Sequence, residues 1–333
     1  AVEMAPMSVV YGGFSACNIN AVTKTGRNEI YGSVFFDYGS DDFRGDKLEG
    51  DKIAQQDYEE TRYSFELGGA LIEDQLFFYG AYEKYNGADL NNRGAIGSGA
   101  VNEVPVTQAE LDRIAQIARD VYGYEPGRTV SEAFDFDDEK YLIKLDWYAS
   151  ETQRLSMTYM YNDSFNFTAS DGDLDEFEFD KHFYKRGAEL TTYNINWYAD
   201  WSENFSTEVR YSYNEVDFLQ ASVSGGDFAE FRIELDEVDV YLGQDDSRQA
   251  NDLDWEVEQL VARGTYIMDD HTITFGYERD SSDIYNLFYQ HVDTEIRFDG
   301  IDNFEQGIAA RVYYGNAITN NELDAAVSWG YTC

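Results

Sequence analysis

The chain has 333 residues and carries 24 Lys and Arg against 65 Asp and Glu, which gives a formal net charge of −41. So strong a negative charge repels phosphate backbones and excludes nucleic acid as a partner. No run of eighteen apolar residues occurs, which excludes a helical membrane span, whereas 27 Tyr, 22 Phe and only 3 Pro favour long β-strands.

Nine segments of the chain alternate apolar and polar residues with a period of two, which predicts β-strands with one apolar and one polar face. In the segment 205–218, Val209 and Tyr211 fall on the apolar face, whereas Glu208 and Arg210 fall on the polar face. Most segments exceed the roughly 5–6 residues usual in soluble sheets. The predicted strands are 30–38, 61–70, 76–85, 141–147, 154–162, 191–199, 205–218, 253–266 and 272–285.

The connections between these strands alternate in length. Short polar turns are predicted at 71–75, 150–153, 202–204 and 269–271, and long polar connections at 39–60, 86–139, 164–187 and 219–251. Alternation alone also fits a soluble sandwich or propeller, but short turns at one end and long loops at the other favour an outer-membrane barrel. The predicted fold is therefore an all-β, antiparallel transmembrane β-barrel with long extracellular loops.

One long connection contains a predicted helix at 107–122. Thr107 followed by Glu110 forms the pattern of a capping box, and apolar residues then recur at helical spacing. Gly123 is the predicted end of the helix. We expect one loop helix, either as part of a lid or simply as packed local structure.

The sequence shows no catalytic motif, and we predict that the chain is not an enzyme. His182, His271 and His291 lie far apart in the sequence, with no HExxH pattern and no clustering with cysteine. No zinc or catalytic site is therefore expected from the histidines.

One acidic segment resembles the beginning of a calcium loop. Asp171, Asp173 and Asp175 present carboxylates at alternate positions, but Glu176 and His182 stand where an EF-hand needs Gly and Glu. Two interpretations stay open: a looser Ca²⁺ site in an extracellular loop, or a solvated acidic loop. No other cofactor is predicted.

The segment 11–29, YGGFSACNINAVTKTGRNE, with the strand that follows it, resembles the end of the plug and the first barrel strand of TonB-dependent outer-membrane receptors. Ala16 and Cys17 stand where that family has glycines, so the backbone approach there is expected to differ. The residues that match the family's Ile-Asn-x-Val-Thr-Lys-x-Gly segment are Ile19, Asn20, Val22, Thr23, Lys24 and Gly26.

Stretches further along, including KYLIKLDWYASETQRLSMTYMYN and AELTTYNINWYADWSENFSTEVRYSYNE, resemble the Oar-like subgroup, and the likeness spans essentially the whole chain. It implies a 22-stranded plugged barrel. Residues 1–28 would then be the C-terminal end of the plug and 29–333 the first part of the barrel. The chain would be a fragment without the signal sequence, the TonB box, most of the plug and the later strands.

This resemblance implies a transporter in the outer membrane of a Gram-negative bacterium, surrounded by outer-membrane lipid. Loops and plug would bind an unidentified small ligand, and a TonB-type inner-membrane complex would pull on the plug. Asn20, Thr23 and Lys24 are the predicted contacts between plug and barrel wall. The predicted lumen-lining residues are Asn194, Asn196, Glu208 and Arg210.

Two alternatives from other classes stay open at the level of sequence. The first is an outer-membrane surface or adhesion protein whose acidic loops bind partners or calcium without any transport. The second is a soluble β-sandwich or propeller that acts as a binding module.

Overall fold

The computed structural model describes residues 2–4, 17–19, 21–52, 56–89, 91, 93–129, 133–170, 173–226, 228–315 and 327–332, with the backbone alone at 2–4, 17–19 and 327–332. Its main element is a ten-stranded antiparallel sheet in which each strand pairs with the next one along the chain. The strands are β1 (Tyr31–Ser40), β2 (Glu59–Ile72), β3 (Leu76–Asp89), β4 (Phe134–Ser150), β5 (Gln153–Thr168), β6 (Tyr184–Ser202), β7 (Phe205–Ser222), β8 (Asn251–Met268), β9 (His271–Phe288) and β10 (Val327–Thr332).

All nine predicted strands are confirmed as β1 to β9. Most extend beyond their predicted limits, and β6 reaches 19 residues. The extension is greatest at the end with the long connections, where charged residues such as Asp137 and Asp163 still pair across the sheet although they break the apolar alternation.

The four predicted tight turns are also confirmed, because they join β2 to β3, β4 to β5, β6 to β7 and β8 to β9. Register shifts occur beside three of them, between Ala70 and Ile72, Tyr148 and Ser150, and Asp200 and Ser202. Such bulges insert an extra residue and increase the local twist. Within the described ranges, the edge strands β1 and β10 do not pair with each other, so the sheet is open.

The long connections fold together into one compact unit, which we call the loop cap. It contains helix α1 (Gln108–Tyr122), helix α2 (Ile301–Gln306) and a five-stranded sheet. The order of strands in this sheet is Glu176–Glu178, Asp239–Leu242, Glu230–Glu234, Glu295–Asp299 and Arg311–Tyr313. Three connections and the segment after β9 therefore contribute to one structure.

The loop cap has its own hydrophobic core. Leu111 and Ile114 of α1 pack with Ile233, Phe298 and Phe304, and all five are at most 2% exposed. This corrects the prediction of long polar loops with one helix. The cap strands have three to five residues and α2 has six, so the alternation that two of the strands show is too short to distinguish them from polar connections.

Helix α1 forms as its sequence predicts. Thr107 is the N-cap and makes the capping box with Glu110, and Gly123 ends the helix with a φ of 67°. The Tyr122 hydroxyl donates a hydrogen bond of 2.6 Å to the carbonyl oxygen of Phe304, which ties α1 to α2. Neither α1 nor α2 is long and apolar enough to cross a membrane, and the described residues contain no other α-helix.

Smaller elements complete the described chain. Val2–Met4 pairs antiparallel with Cys17–Ile19, Lys47–Leu48 with Asp51–Lys52, and Arg93–Ala95 runs parallel to Asn102–Val104. Short 3-10 helices lie at Asp41–Phe43, Asp180–His182 and Asp246–Arg248.

Candidate functional site

The ten-stranded sheet has two chemically different faces. We call the face that residues 21–30 cross the inner face and the opposite one the outer face. Large apolar side chains on the outer face are exposed: Val34 by 85%, Phe275 by 56% and Tyr211 by 37%. An exposed apolar surface of this extent is typical of a protein that contacts lipid. Other members are Phe36, Phe65, Leu67, Ile143, Leu145, Trp147, Met157, Tyr193, Ile195, Trp197, Leu260, Ile273 and Tyr277.

The inner face is polar, and the four residues predicted to line a lumen share it. Asn196 of β6 pairs with Arg210 of β7, and Asn194 pairs with Ser212 in the same register. Arg210 forms an ion pair with Glu208, which also lies 3.8 Å from Arg263 of β8. Their role in lining a water-filled lumen stays a prediction.

Residues 21–30 cross the inner face and contact strands β2 and β4. Lys24 donates hydrogen bonds of 2.7 and 2.8 Å to the two carboxylate oxygens of Glu66 in β2. The Thr25 hydroxyl donates to Asp146 in β4. Two different strands therefore hold adjacent residues of this segment.

A further pair of hydrogen bonds anchors the segment at the rim with the tight turns. The side-chain amide of Asn28 donates to Asp74 over 2.6 Å, and the backbone N–H of Asp74 donates back to Asn28 over 2.9 Å. The hydroxyl of Tyr31 donates to the carbonyl oxygen of Thr25 over 2.7 Å. The segment is thus held from Lys24 to Asn28 before β1 begins.

Gly26 allows the segment to approach the sheet closely. A Cβ atom at this position would lie 2.4 Å from the carbonyl oxygens of Gly69 and Phe78. Because both atoms belong to the backbone, any larger residue must move the segment or the strands. A glycine is therefore required here by contact distance.

The three predicted plug contacts have different outcomes. Asn20 lies outside the described residues, Thr23 is half-buried, and Lys24 pairs with the strand residue Glu66. Their function as contacts between plug and barrel stays a prediction. Sequence reasoning missed the acidic partners, although an acid on the polar face of an otherwise apolar strand, such as Glu66 or Asp146, is a visible signal.

A recess of about 490 Å³ lies beside this segment on the sheet. Lys24, Glu66, Glu83, Lys140 and Asn162 contribute its charged and amide groups. Lys140 lies 3.3 Å from Glu83, so opposite charges are already paired in the recess.

The predicted calcium ligands do not converge in the described part of the chain. Asp171 lies outside the described residues, and Asp173 and Asp175 are exposed. Two groups of His and carboxylate side chains place their ligand atoms within 4.8 Å of one another, and neither includes Asp173 or Asp175. The calcium role of these aspartates stays a prediction.

Both groups lie in the loop cap and contain histidines from which no site was expected. The first consists of His182, Glu230 and Asp245, all of them buried. Nδ1 of His182 lies 3.2 Å from the carbonyl oxygen of Gly243, and because a carbonyl only accepts, Nδ1 is the donor. The other ring nitrogen, Nε2, lies 3.9 Å from a carboxylate oxygen of Asp245.

The second group consists of Asp246, His291 and Glu295. Nδ1 of His291 lies 3.1 Å from Oδ2 of Asp246 and 3.6 Å from Oε2 of Glu295. The two groups are contiguous, since the backbone N–H of Asp246 donates to Glu230 over 2.6 Å. Burial, with the nearby charges of Asp246 and Asp245, raises the pKa of Glu230 well above its usual range. No sequence motif links these residues, because they come from separate connections.

Comparison with known proteins establishes a fold and no more. No protein-family profile and no curated protein sequence matches the chain. The crystal structure of the outer membrane transporter YddB from Escherichia coli superposes with a TM-score of 0.61 at 10% identity, over 99% of this chain and 39% of that one.

The siderophore receptor PirA from Acinetobacter baumannii gives a TM-score of 0.47 at 15% identity, over 79% of this chain and 31% of that one. The chain thus spans well under half the length of either structure. The predicted fold class is confirmed at this level: the chain is mostly antiparallel sheet and has the fold of part of an outer-membrane barrel.

Proposed function

We propose that the chain is part of a TonB-dependent outer-membrane receptor that takes up an unidentified ligand through a plugged barrel. One observation carries the proposal: the outer face of the sheet is apolar and exposed, whereas residues 21–30 cross its polar inner face and bind two strands. The sequence resemblance supports the same family and, within it, the Oar-like subgroup. Residues 1–28 are then the end of the plug and 29–333 part of the barrel.

The contacts of the crossing segment suit a plug that must move. Lys24 is 62% exposed, and exposed ion pairs such as Lys24–Glu66 contribute roughly 0–1 kcal/mol each. A few such contacts hold the segment at rest, yet a pulling partner can break them without unfolding the sheet. The strands themselves are joined by continuous ladders of hydrogen bonds and stay intact.

The ligand would bind between the loop cap and the recess beside Lys24. Transport requires that the ligand binds tightly while the segment is in place and weakly after it moves. Because the recess contains Lys24 and its partner Glu66, moving the segment changes the recess directly. Ligand affinity and plug position are coupled in this arrangement.

The test measures movement of the segment and requires no knowledge of the ligand. The complete gene that contains this chain is expressed in a Gram-negative host, with Cys17 and Cys333 replaced by serine and Lys24 replaced by cysteine. A membrane-impermeant maleimide then labels the cells with and without a protonophore. We expect several-fold faster labelling of K24C in energised cells.

Q116C is the matched control, because Gln116 is exposed on helix α1 of the loop cap, at the end with the long connections. Its labelling should be independent of the proton-motive force. Equal labelling of K24C in both conditions would contradict energy-coupled movement. That result would favour the alternative of a surface or adhesion protein that binds partners through the loop cap.

A further inference from the structure

We propose that Asp246, His291 and Glu295 form a binding site for one divalent first-row transition-metal ion in the loop cap, for which Zn²⁺ is the appropriate probe. The site is independent of the proposed transport. It joins the connection between β7 and β8, which carries Asp246, to the segment after β9, which carries His291 and Glu295.

The separations of the ligand atoms fit a small metal ion. Nδ1 of His291 lies 3.1 Å from Asp246 Oδ2 and 3.6 Å from Glu295 Oε2. Zinc bonds of about 2.0–2.1 Å in tetrahedral geometry place neighbouring ligand atoms about 3.3–3.4 Å apart. The two separations from the histidine nitrogen differ from this value by only a few tenths of an ångström, and all three ligand atoms lie within 4.8 Å of one another. Water can complete the coordination.

Neighbouring groups orient both carboxylates toward the histidine. The Ser247 hydroxyl donates to Oδ1 of Asp246 over 2.8 Å, and Arg297 donates to Oε1 of Glu295. In each carboxylate one oxygen is thus held by a donor, and the other one is close to Nδ1 of His291. Outer hydrogen bonds of this kind orient metal ligands and commonly affect metal affinity 10–100-fold.

The second carboxylate oxygen of Glu295 points independently to a ligand. Glu295 is 2% exposed, and among the described residues its Oε2 has no hydrogen-bond partner, nor has Nδ1 of His291. A buried carboxylate oxygen without a donor is costly, roughly 1–3 kcal/mol or more for a charged group. A bound cation would satisfy both atoms at once.

The charges around the site favour a divalent ion. Glu295 stands opposite Glu230 in the register of two adjacent parallel cap strands, so two buried acids are neighbours. Asp245 and Asp246 add two more carboxylates, and Arg248 and Arg297 are within ion-pair distance of the group. These carboxylates outnumber the guanidinium groups, so the site is a favourable place for a cation.

The backbone around His291 adopts an unusual conformation that brings the ligands together. His291 has a φ of 60° and Thr294 a φ of 78°. A β-branched residue such as Thr294 is rarely found in this left-handed region. The strained turn brings the side chains of His291 and Glu295 together, with 3.6 Å between Nδ1 and Oε2. The imidazole also stacks on the ring of Tyr313, with 5.5 Å between the ring centroids.

The donor set determines the class of metal. Imidazole nitrogen is a ligand for zinc and other first-row transition metals, whereas Ca²⁺ and Mg²⁺ prefer oxygen ligands alone. His291 is 26% exposed at its side chain, so an ion can enter from solvent. The competing explanation is an imidazolium held between two carboxylates, with no metal.

The test uses the whole chain in detergent, stripped with EDTA and then equilibrated with Zn²⁺ by dialysis. We expect one Zn²⁺ per chain with a dissociation constant in the micromolar range or tighter. H291Q should weaken binding by at least about 100-fold, since it removes a direct ligand. The matched control H271Q changes an exposed histidine at the opposite rim and should leave binding unchanged.

Co²⁺ provides a second readout, because its visible absorption reports the ligands directly, and this signal should be lost in H291Q and D246N. Hydrogen exchange of the loop cap shows whether each variant is folded. If H291Q is not folded, zinc binding to D246N provides the test instead. Zinc binding that is equal in the wild-type chain and the folded variant would overturn the proposal. Absence of zinc binding in the wild-type chain would overturn it as well and favour the imidazolium.

Discussion

Lys24, Thr25 and Gly26 each meet the inner face of the sheet in a different way. Lys24 pairs with a carboxylate, Thr25 donates to a buried one, and Gly26 leaves room for two carbonyl oxygens. Asp146, the partner of Thr25, is only 4% exposed. Of the three contacts, that of Gly26 has the least tolerance for substitution, because backbone atoms surround it.

We therefore expect Gly26→Ala to loosen the crossing segment. The added Cβ would lie 2.4 Å from two backbone oxygens, and relieving such overlaps typically costs about 1–3 kcal/mol. Limited proteolysis of residues 21–30 measures the effect, with faster cleavage expected in the variant. Gly45→Ala is the matched control, since no atom lies within 4 Å of a Cβ there. Equal cleavage of G26A and wild type would show that the segment does not lie against the sheet.

Individual contacts were less predictable from the sequence than the strands that carry them. Lys24 could be named from a family resemblance, but its partner Glu66 depends on the register between segment and sheet. Asp246 and His291 were missed because a full β-hairpin separates them along the chain. Only the folded loop cap brings them within 3.1 Å.

At the scale of elements, helix α1 shows how local sequence specifies local structure. The Thr107 hydroxyl accepts the Glu110 backbone N–H over 3.2 Å, and the Glu110 side chain accepts the Thr107 N–H over 2.8 Å. These interactions are local, so the capping box was predictable from four residues. The helix limits were therefore predicted almost to the residue.

The capping box makes the stability of α1 depend on pH. Hydrogen bonds from the Thr107 side chain and backbone lower the pKa of Glu110. Their stabilising contribution is fully present above the ordinary Glu pKa of about 4.3 and is lost as the pH falls through the lower folded-state pKa. The protection of the α1 amides against hydrogen exchange should therefore fall in acid more in the wild type than in E110Q.

Thr107→Ala removes the cap itself, and we expect a loss of about 1 kcal/mol in helix protection at neutral pH. Thr107→Ser keeps the hydroxyl and serves as the control. An identical acid response in wild type and E110Q would show that the Glu110 carboxylate does not contribute.

The loop cap should unfold as a unit when its core is disrupted. Phe304 is fully buried and contacts Tyr122, Phe231 and Phe298. Phe304→Ala should cost about 3–5 kcal/mol, and hydrogen exchange should rise across the whole cap while β1 to β9 stay protected. Phe43→Ala, at a side chain that is 77% exposed, should have no such effect. A loss of protection confined to α2 would contradict a single cap.

The cap was not predictable from the sequence for a physical reason. Its strands are short, and the partners of Ile233 and Phe298 come from different connections. Both segments alternate polar and apolar residues, but only over five residues each, and nothing in the sequence shows that they pair with each other. Their joint burial stabilises them only once the connections have come together. The sheet strands, in contrast, have fourteen or more residues in all but β1 and β10, and their alternation extends over at least seven residues in each of β1 to β9.

At the scale of the whole molecule, the two faces of the sheet define its environment. In the described part of the chain, no second sheet covers Val209 or Tyr211, as would be required in a sandwich. An exposed apolar face in water would drive aggregation, whereas lipid is its natural contact. The strand pattern predicted the two faces, because alternate residues of a strand point to opposite sides of a sheet.

Spin labels along β7 test this central claim most directly. Single cysteines at Val209, Arg210, Tyr211 and Ser212, in a chain without Cys17 and Cys333, are labelled and reconstituted into lipid vesicles. Labels at 209 and 211 should collide with dissolved oxygen, and labels at 210 and 212 with a water-soluble nickel chelate. Uniform access of the chelate to all four positions, or the opposite alternation, would contradict an outer face in lipid and an inner face in water.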